Sequence, residues 1–385
     1  MQDCQYEFDK KAANCYTFLG DVCMKTVNQA DLKIKNRSRV LKAILTGAPI
    51  SRTELCQITG LSKMSITNVV NELMADGIVK ETDKVETATG RKPVNLELVS
   101  GGRYMIGLYI SRDQLAAGLC DLTGCLEYEI RLSLRNETNQ TLLEKVYEAV
   151  DSLLNKIKKE TLIGIGVACI GPLDRRSGTI LNPPNFYQIN NLPLASMLSQ
   201  RYAVPVCMDN DTNACAMAEL YFGQARGLKN FIFLGVSNGI GAGIVVNEKL
   251  CVGTNGLAGE IGHITVDING PRCSCGNIGC LELYACIHSN FPTLPTAEKE
   301  QKRARICKYL GTGCVSLINL FDPEVIYVGY RFASLGDTAF SLLRQEIKDR
   351  YIGRSFSEVP LKPCSFGENA PLYGAVALCV DRMEI

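Results

Sequence analysis

Residues 259–282 read GEIGHITVDINGPRCSCGNIGCLE. Within this stretch His263, Cys273, Cys275 and Cys280 stand at H-x9-C-x-C-x4-C spacing. Three thiolates and one imidazole complete a tetrahedral Zn2+ site and leave no position for water, so such a metal is structural rather than catalytic. The same loop carries Glu260 and Glu282, carboxylates able to accept hydrogen bonds from sugar hydroxyls. Metal, ligand contact and local fold are therefore expected from one element.

Glycines and acids fall in register with the metal ligands. Glu260, Gly262, His263, Cys273, Cys275, Gly276, Gly279, Cys280 and Glu282 together resemble, without a gap, a loop of the ROK family (repressors, open reading frames and sugar kinases). The resemblance implies that Glu260 and His263 touch a sugar, that His263 also ligates zinc, and that the three cysteines complete the metal site. It further implies an α/β fold: a two-lobed, actin/hexokinase-like (ribonuclease H-like) domain with a cleft between the lobes.

Composition sets looser bounds. At 385 residues the chain is long enough for two or three domains and a large core. The net charge of +1 names no partner by bulk electrostatics. No apolar run reaches membrane-spanning length, and the polar N-terminus does not read as a signal peptide. Of the 18 cysteines, those outside the loop lie mostly singly in apolar segments, such as Cys120, Cys169, Cys207, Cys314 and Cys379. That pattern fits small buried hydrophobes in a reducing cytoplasm. Residues 1–30 have weak periodicity and read as an N-terminal extension, either an upstream addition before a start at Met24 or a disordered tail.

Residues 31–98 read as a winged helix-turn-helix. Val40, Leu41, Ile44 and Leu45 share a helix face, and residues 47–49 (Gly-Ala-Pro) break it. Ser51 with Glu54 forms a capping-box pattern for a helix that turns Leu55 and Ile58 inward and ends at Gly60. Ser62 caps the next helix, whose Ile66, Val69, Val70 and Leu73 repeat at helical spacing up to Gly77. Helix, tight turn and helix is the geometry that lays a second helix in the major groove. Its outward residues Lys63, Ser65, Thr67, Asn68 and Asn71, with Ser62 and Arg52 beside them, are expected to meet DNA. Two strands follow, with Arg91 and Lys92 at the tip of the wing between them. The segment holds eleven Lys/Arg against eight Asp/Glu, a modest basic bias, and a small helical domain that docks protein is the alternative. The same residues resemble the DNA-binding headpiece of ROK repressors, which favours DNA.

Residues 99–385 read as the two-lobed domain. Strands are expected at 104–110, 114–120 and 126–134, a helix at 141–159, and a buried strand at 162–170, with a second set starting near Phe231. After a strand at 204–208, the tract 209–213 (Asp-Asn-Asp-Thr-Asn) opens a helix. The resemblance makes Asn210 a contact to sugar hydroxyls and gives Asp211 the place of the base in ROK kinases; both residue types are also ordinary helix caps. Gly171 and Asn185 match family loops lining the same pocket and are otherwise turn signals. Between His288 and Arg303 the chain is shorter than the family pattern.

The kinase activity of the family is not expected here. Its phosphate-cradling turn has the form D-x-G-G-T, where glycines let backbone N–H groups approach phosphate. This chain has Tyr109, Ile110, Ser111, Arg112 and Asp113 in those places, which puts a carboxylate where phosphate would sit. The second glycine loop, residues 237–243, is partly kept, and Tyr330 would crowd a nucleotide. The expected protein is a sugar-responsive transcriptional regulator, a repressor of carbohydrate-utilisation genes with structural Zn2+. Its expected partners are operator DNA, a monosaccharide or sugar-derivative effector, and further copies of itself in a homodimer or homotetramer. A sugar kinase with a DNA-binding headpiece, a module controlled by a protein partner, and an activator remain as alternatives.

Overall fold

The computed structural model describes residues 29–82, 94–184, 186–352 and 358–382. The wing-tip residues Arg91 and Lys92, the loop residue Asn185 and the expected extension up to residue 28 lie outside them. The headpiece begins with helix α1 (Gln29–Gly47), then strand β1 (Ile50–Ser51) and helices α2 (Arg52–Thr59) and α3 (Lys63–Ala75). Strands β2 (Val79–Thr82) and β3 (Asn95–Leu98) complete a small antiparallel sheet ordered β1-β3-β2. Ser51 and Glu54 form the expected capping box: the Ser51 hydroxyl accepts from Glu54 N–H while the Glu54 carboxylate accepts from Ser51 N–H. Ser62 caps α3 by accepting from Ser65 N–H. Gly60 closes α2 at φ 68°, a left-handed conformation that glycine adopts without a Cβ penalty.

Two headpiece expectations need correction. The first helix starts at Gln29, well before the apolar stripe at Val40. Its polar opening is held by ion pairs from Lys33 to Glu72 and from Arg37 to Glu72 and Asp76, so α3 supplies the partners that apolar periodicity cannot reveal. Ile58 does not turn inward; it is 61% exposed, and Thr59 is buried in its place, one turn after Leu55.

The body opens with β4 (Tyr104–Ile110), β5 (Gln114–Asp121) and β6 (Leu126–Ser133), followed by α4 (Asn139–Leu154) and β7 (Leu162–Cys169). Helix α4 stops at its Asn155 cap, before the lysine-rich stretch that the expected helix included. A small hairpin, β8 (Leu173–Asp174) with β9 (Thr179–Ile180), precedes α5 (Leu194–Tyr202), β10 (Val206–Asn210) and α6 (Asp211–Tyr221). Strand β10 runs two residues later than expected, so Asn210 is both the last strand residue and the cap of α6. The first sheet is ordered β10-β7-β4-β5-β6, with β4, β7 and β10 parallel.

The second lobe contains β11 (Phe231–Val236), β12 (Ile240–Val246) and β13 (Lys249–Cys251), then the short α7 (Glu282–Ala285) and the long α8 (Thr296–Phe321). Strand β14 (Val325–Tyr330), helix α9 (Asp337–Lys348), β15 (Leu361–Pro363) and α10 (Ala370–Arg382) finish the chain. Its sheet is ordered β13-β12-β11-β14-β15. The short segment before α8 forms a single turn, Phe291–Thr293.

Two buried helices join the lobes. Helix α10 packs on β4 and β7 of the first sheet, α6 packs on β11 and β12 of the second, and the two helices pack on each other. They approach so closely that a Cβ on Gly374 would lie 2.3 Å from the Ala214 carbonyl carbon. The headpiece core is continuous with this layer: one buried cluster runs from Val40 and Leu55 through Cys215 and Met217 to Val380. The Lys42 ammonium of α1 donates to both the carbonyl and the carboxylate of Asp381, which also accepts from the Tyr221 phenol at 2.8 Å. Among the described residues, no helix is long and apolar enough to cross a membrane.

Candidate functional site

Residues 259–282 fold against β12. Gly259 has φ 92°, and a Cβ there would sit 1.9 Å from the Ala242 carbonyl oxygen, so only glycine allows this approach. Ala242 N–H donates to the Gly259 carbonyl at 2.8 Å and thereby fixes where Glu260 leaves the strand. The turn Ile261–His263 follows, and Asn277 Nδ2 donates to the His263 carbonyl at 3.1 Å, tying the two ends of the loop together.

This folding brings His263, Cys273, Cys275 and Cys280 into one cluster whose donor atoms all lie within 4.8 Å of one another. Cys275 Sγ is 3.7 Å from Cys280 Sγ, and Cys273 Sγ is 3.8 Å from His263 Nδ1. A tetrahedral ion about 2.3 Å from each sulfur would set neighbouring sulfurs about 3.8 Å apart, so the donor set fits zinc. Electrostatics point the same way. Burial, and then the adjacent Cys273 and Cys275 thiols, push the Cys280 thiol up to about 12. Burial would also raise Cys273, but hydrogen bonds with Cys275, His263 and Cys280 win and bring it down to about 7. Thiols this close cannot all ionise unless a cation offsets their charge. A bound Zn2+ would supply that charge and cross-link the loop. With Nδ1 turned to the sulfurs, Nε2 of His263 is the nitrogen left for another partner.

The acids expected to face a sugar converge next to this cluster. Glu260 is exposed, yet its carboxyl is pushed up by desolvation from the protein behind it and by the charges of Asp211 and Glu282, while His263 opposes the rise. Glu282 opens α7, and its Oε2 accepts from Ile240 N–H at 3.3 Å. Asn210 caps α6 through its side-chain oxygen, which accepts from Asn213 N–H at 2.7 Å, so its amide nitrogen is the free end. Asp211 accepts from Thr212 N–H at 2.9 Å; burial pushes its carboxyl up, opposed first by a hydrogen bond from the Tyr330 phenol. Gly171 lies exposed after β7.

Anchors missed by sequence reasoning sit directly behind these residues. Asp209 is 2% exposed and is ion-paired with Arg175 and Arg382. It also accepts from Asn210 N–H at 2.9 Å and from Asn213 Nδ2 at 3.0 Å, and so holds the start of α6. Arg112 Nε donates to the Pro184 carbonyl at 3.2 Å, and the guanidinium lies near enough to Asp211 to hold its carboxyl down. Neither arginine contact to Asp209 had a local signal, because the partners come from other parts of the chain.

The residues expected at the positions of phosphate loops make contacts of their own. In the β4–β5 turn, Ser111 N–H donates to the Gln114 carbonyl at 2.9 Å, Gln114 N–H donates to the Ser111 hydroxyl at 3.2 Å, and that hydroxyl donates to Asp113 at 2.7 Å. Tyr330 has φ 58°, its ring stands edge-on to Phe233 with centroids 5.9 Å apart, and its phenol lies 3.5 Å from Cys215 Sγ. Arg331 Nη1 donates to Asn238 Oδ1 at 2.7 Å and to the Ile287 carbonyl at 3.0 Å, bracing residues 237–239.

On α3, Lys63, Thr67, Asn68 and Asn71 are exposed, while Ile66, Val69, Val70 and Leu73 are buried. Ser62 and Ser65 bond each other at 3.0 Å at the helix start, and Thr67 donates its hydroxyl to the Lys63 carbonyl at 2.8 Å. Arg52 pairs with Glu81 of the hairpin at 2.8 Å.

Comparison with known proteins agrees with this architecture. The ROK family profile matches residues 105–289, and a winged helix-turn-helix DNA-binding profile matches residues 35–80. The xylose repressor of Bacillus subtilis (strain 168) is 30% identical over 379 residues, covering 93% of this chain and 98% of that protein. The DNA-binding transcriptional dual regulator NagC of Escherichia coli (strain K12) is 33% identical over 335 residues, covering 78% of this chain and 82% of NagC. Among solved structures, a ROK family transcriptional regulator homologous to the Escherichia coli MLC protein superposes with TM-score 0.77 at 24% identity, covering 91% of this chain and 96% of that one. A ROK family glucokinase from Streptomyces griseus, in complex with glucose and AMPPNP, gives TM-score 0.63 at 25% identity, covering 71% of this chain and 98% of the glucokinase. The full-length match to regulators, the headpiece and the two-lobed body together place this chain in the ROK family, among its transcriptional regulators with an N-terminal winged helix-turn-helix.

Proposed function

We propose that this protein is a cytoplasmic, sugar-gated repressor of carbohydrate-use genes that senses its sugar without phosphorylating it. Residues 31–98, with the start of α1 at Gln29, form the DNA-reading domain, and residues 99–385 form the sugar-binding domain. The protein binds a two-fold symmetric operator as a homodimer or homotetramer. A monosaccharide lies in the cleft against Asn210, Asp211, Glu260, His263 Nε2 and Glu282; Gly171 is a further proposed contact, as is Asn185, which lies outside the described residues. Structural Zn2+ on His263, Cys273, Cys275 and Cys280 holds the loop that carries the two glutamates.

One observation carries the reading: the acids proposed to face the sugar, Asp211, Glu260 and Glu282, lie near enough to one another for their charges to interact, and the turn at 111–114 is hydrogen-bonded within itself. The Ser111 and Gln114 N–H groups already have acceptors within the turn, and Asp113 adds a negative charge. The like charge disfavours a triphosphate, and the two bonded N–H groups are no longer free to donate to one. Burial raises the Asp211 carboxyl, so in the fold it can donate to a sugar hydroxyl as well as accept from one.

The route from cleft to headpiece is short. Asp209, next to Asn210, pairs with Arg382; Asp381, next to Arg382, holds Lys42 of α1. Sugar binding that shifts α6 would move the end of α10 and hence the headpiece. Two headpieces must match half-sites about 34 Å apart or a multiple of it, so a small shift weakens DNA binding strongly.

The name of the Bacillus subtilis relative makes D-xylose the first probe, within a panel of other pentoses, hexoses and amino sugars. Titration calorimetry with each sugar, and a coupled assay of ATP turnover, test the proposal. Saturable binding of one sugar with no turnover is expected. Turnover above background would establish the kinase alternative, and silence across the panel would favour control by a protein partner.

A further inference from the structure

Met64 stands out on the DNA-facing surface. It occupies the second position of α3 and is 76% exposed, although water disfavours a large apolar side chain. The other apolar residues in the middle of the helix, Ile66, Val69, Val70 and Leu73, are buried in the headpiece. Its neighbours along the exposed stripe are Thr67, Asn68 and Asn71, three, four and seven residues on, and all are polar. A seam for another protein helix would repeat apolar residues at those spacings. A single apolar side chain within a row of amides is a different surface.

The major-groove edge of an A·T pair has matching chemistry. Adenine offers an acceptor and a donor that an asparagine amide bonds together, and thymine offers the only apolar group in the groove, its C5-methyl. Arginine, the usual reader of guanine, is absent from α3, whose one cation is Lys63. Thr67 already donates its hydroxyl hydrogen to the Lys63 carbonyl, which leaves the Asn68 and Asn71 amides, with the Lys63 ammonium at the helix start, as the outward donors. We propose that Met64 is a base-reading residue that packs on the C5-methyl of a thymine in each operator half-site, beside adenines read by Asn68 and Asn71. This assignment rests on the reading of α3 as the groove-entering helix and is independent of the sugar.

The test uses the full chain. Duplexes that bind are selected from a random pool, and each thymine of the selected site is then replaced by uracil, which removes only the methyl. One thymine per half-site should weaken wild-type binding about fourfold on replacement, the effect of losing one buried methyl-sized group. Met64→Ala should bind the thymine duplex more weakly than wild type and be indifferent to uracil at that position, with an unchanged thermal midpoint because the side chain is exposed. Met64→Leu should keep the sensitivity. A selected site with no methyl-sensitive thymine, or a Met64→Ala variant that keeps the full thymine preference, overturns the Met64 assignment while leaving the headpiece as a DNA reader. Failure to select any duplex overturns both.

Discussion

Asp211 combines burial, function and cost in one side chain. Its carboxyl is pushed up by burial, and the hydrogen bonds from Tyr330 and Thr212 only partly oppose this. A carboxyl with a raised folded-state pKa favours its protonated form in the fold. Its contribution to stability is present below the unfolded carboxylate range and is lost as pH rises through the folded value. Asp211→Asn should therefore raise the thermal midpoint at pH 8, by about 1 °C per kcal/mol recovered in a chain of this length, with the gain shrinking toward pH 4. Sugar binding should fall in the same variant; thermal unfolding across pH with calorimetry checks both, and a midpoint lowered at pH 8 contradicts the account. Glu260→Gln should keep DNA affinity while weakening sugar-induced release, measured by fluorescence anisotropy of labelled operator. Cys275→Ser should reduce bound zinc, measured by atomic absorption, together with the sugar response. A full response in a zinc-free variant would separate the metal from the sugar loop.

At the scale of elements, the short helix α2 depends on its cap. Ser51→Ala removes one half of the capping box, which should cost about 1 kcal/mol, read from the urea midpoint. This cap was legible in the sequence because both partners lie within four residues. The cluster of His263, Cys273, Cys275 and Cys280 was legible for the same reason: its donors and turn glycines all fall within 259–282. The opening of α1 was not, since Lys33 and Arg37 find Glu72 and Asp76 only after the headpiece has folded. Nor was the support behind Asn210, because Arg175 lies 34 residues from Asp209 and Arg382 lies 173 residues away. Ile58 was misplaced because an apolar residue three positions from Leu55 fits a helical stripe, and nothing local says that Thr59 closes the core instead. Helix α10 couples the elements through Asp381 and Arg382. Lys42→Ala should leave sugar affinity unchanged in calorimetry and reduce the sugar-induced loss of DNA affinity; an unreduced loss would exclude this contact from the coupling.

The whole molecule is two sheets separated by the α6–α10 layer, with the headpiece core fused to that layer. The proposed sugar contacts at the start of α6 and the headpiece core therefore meet one helix layer, through which a coupling of about 1–3 kcal/mol is proposed to act. Binding of DNA by the headpiece should weaken steeply with salt as phosphate contacts release counterions. The central claim is that a sugar alone moves the headpiece, because the phosphate turn no longer admits a nucleotide. Titrating the operator complex with D-xylose and the wider sugar panel, with and without magnesium ATP, tests it most directly. The account predicts release by one sugar at the same midpoint in both series, with no sugar phosphate formed. Release that requires ATP and yields a phosphorylated sugar would contradict it.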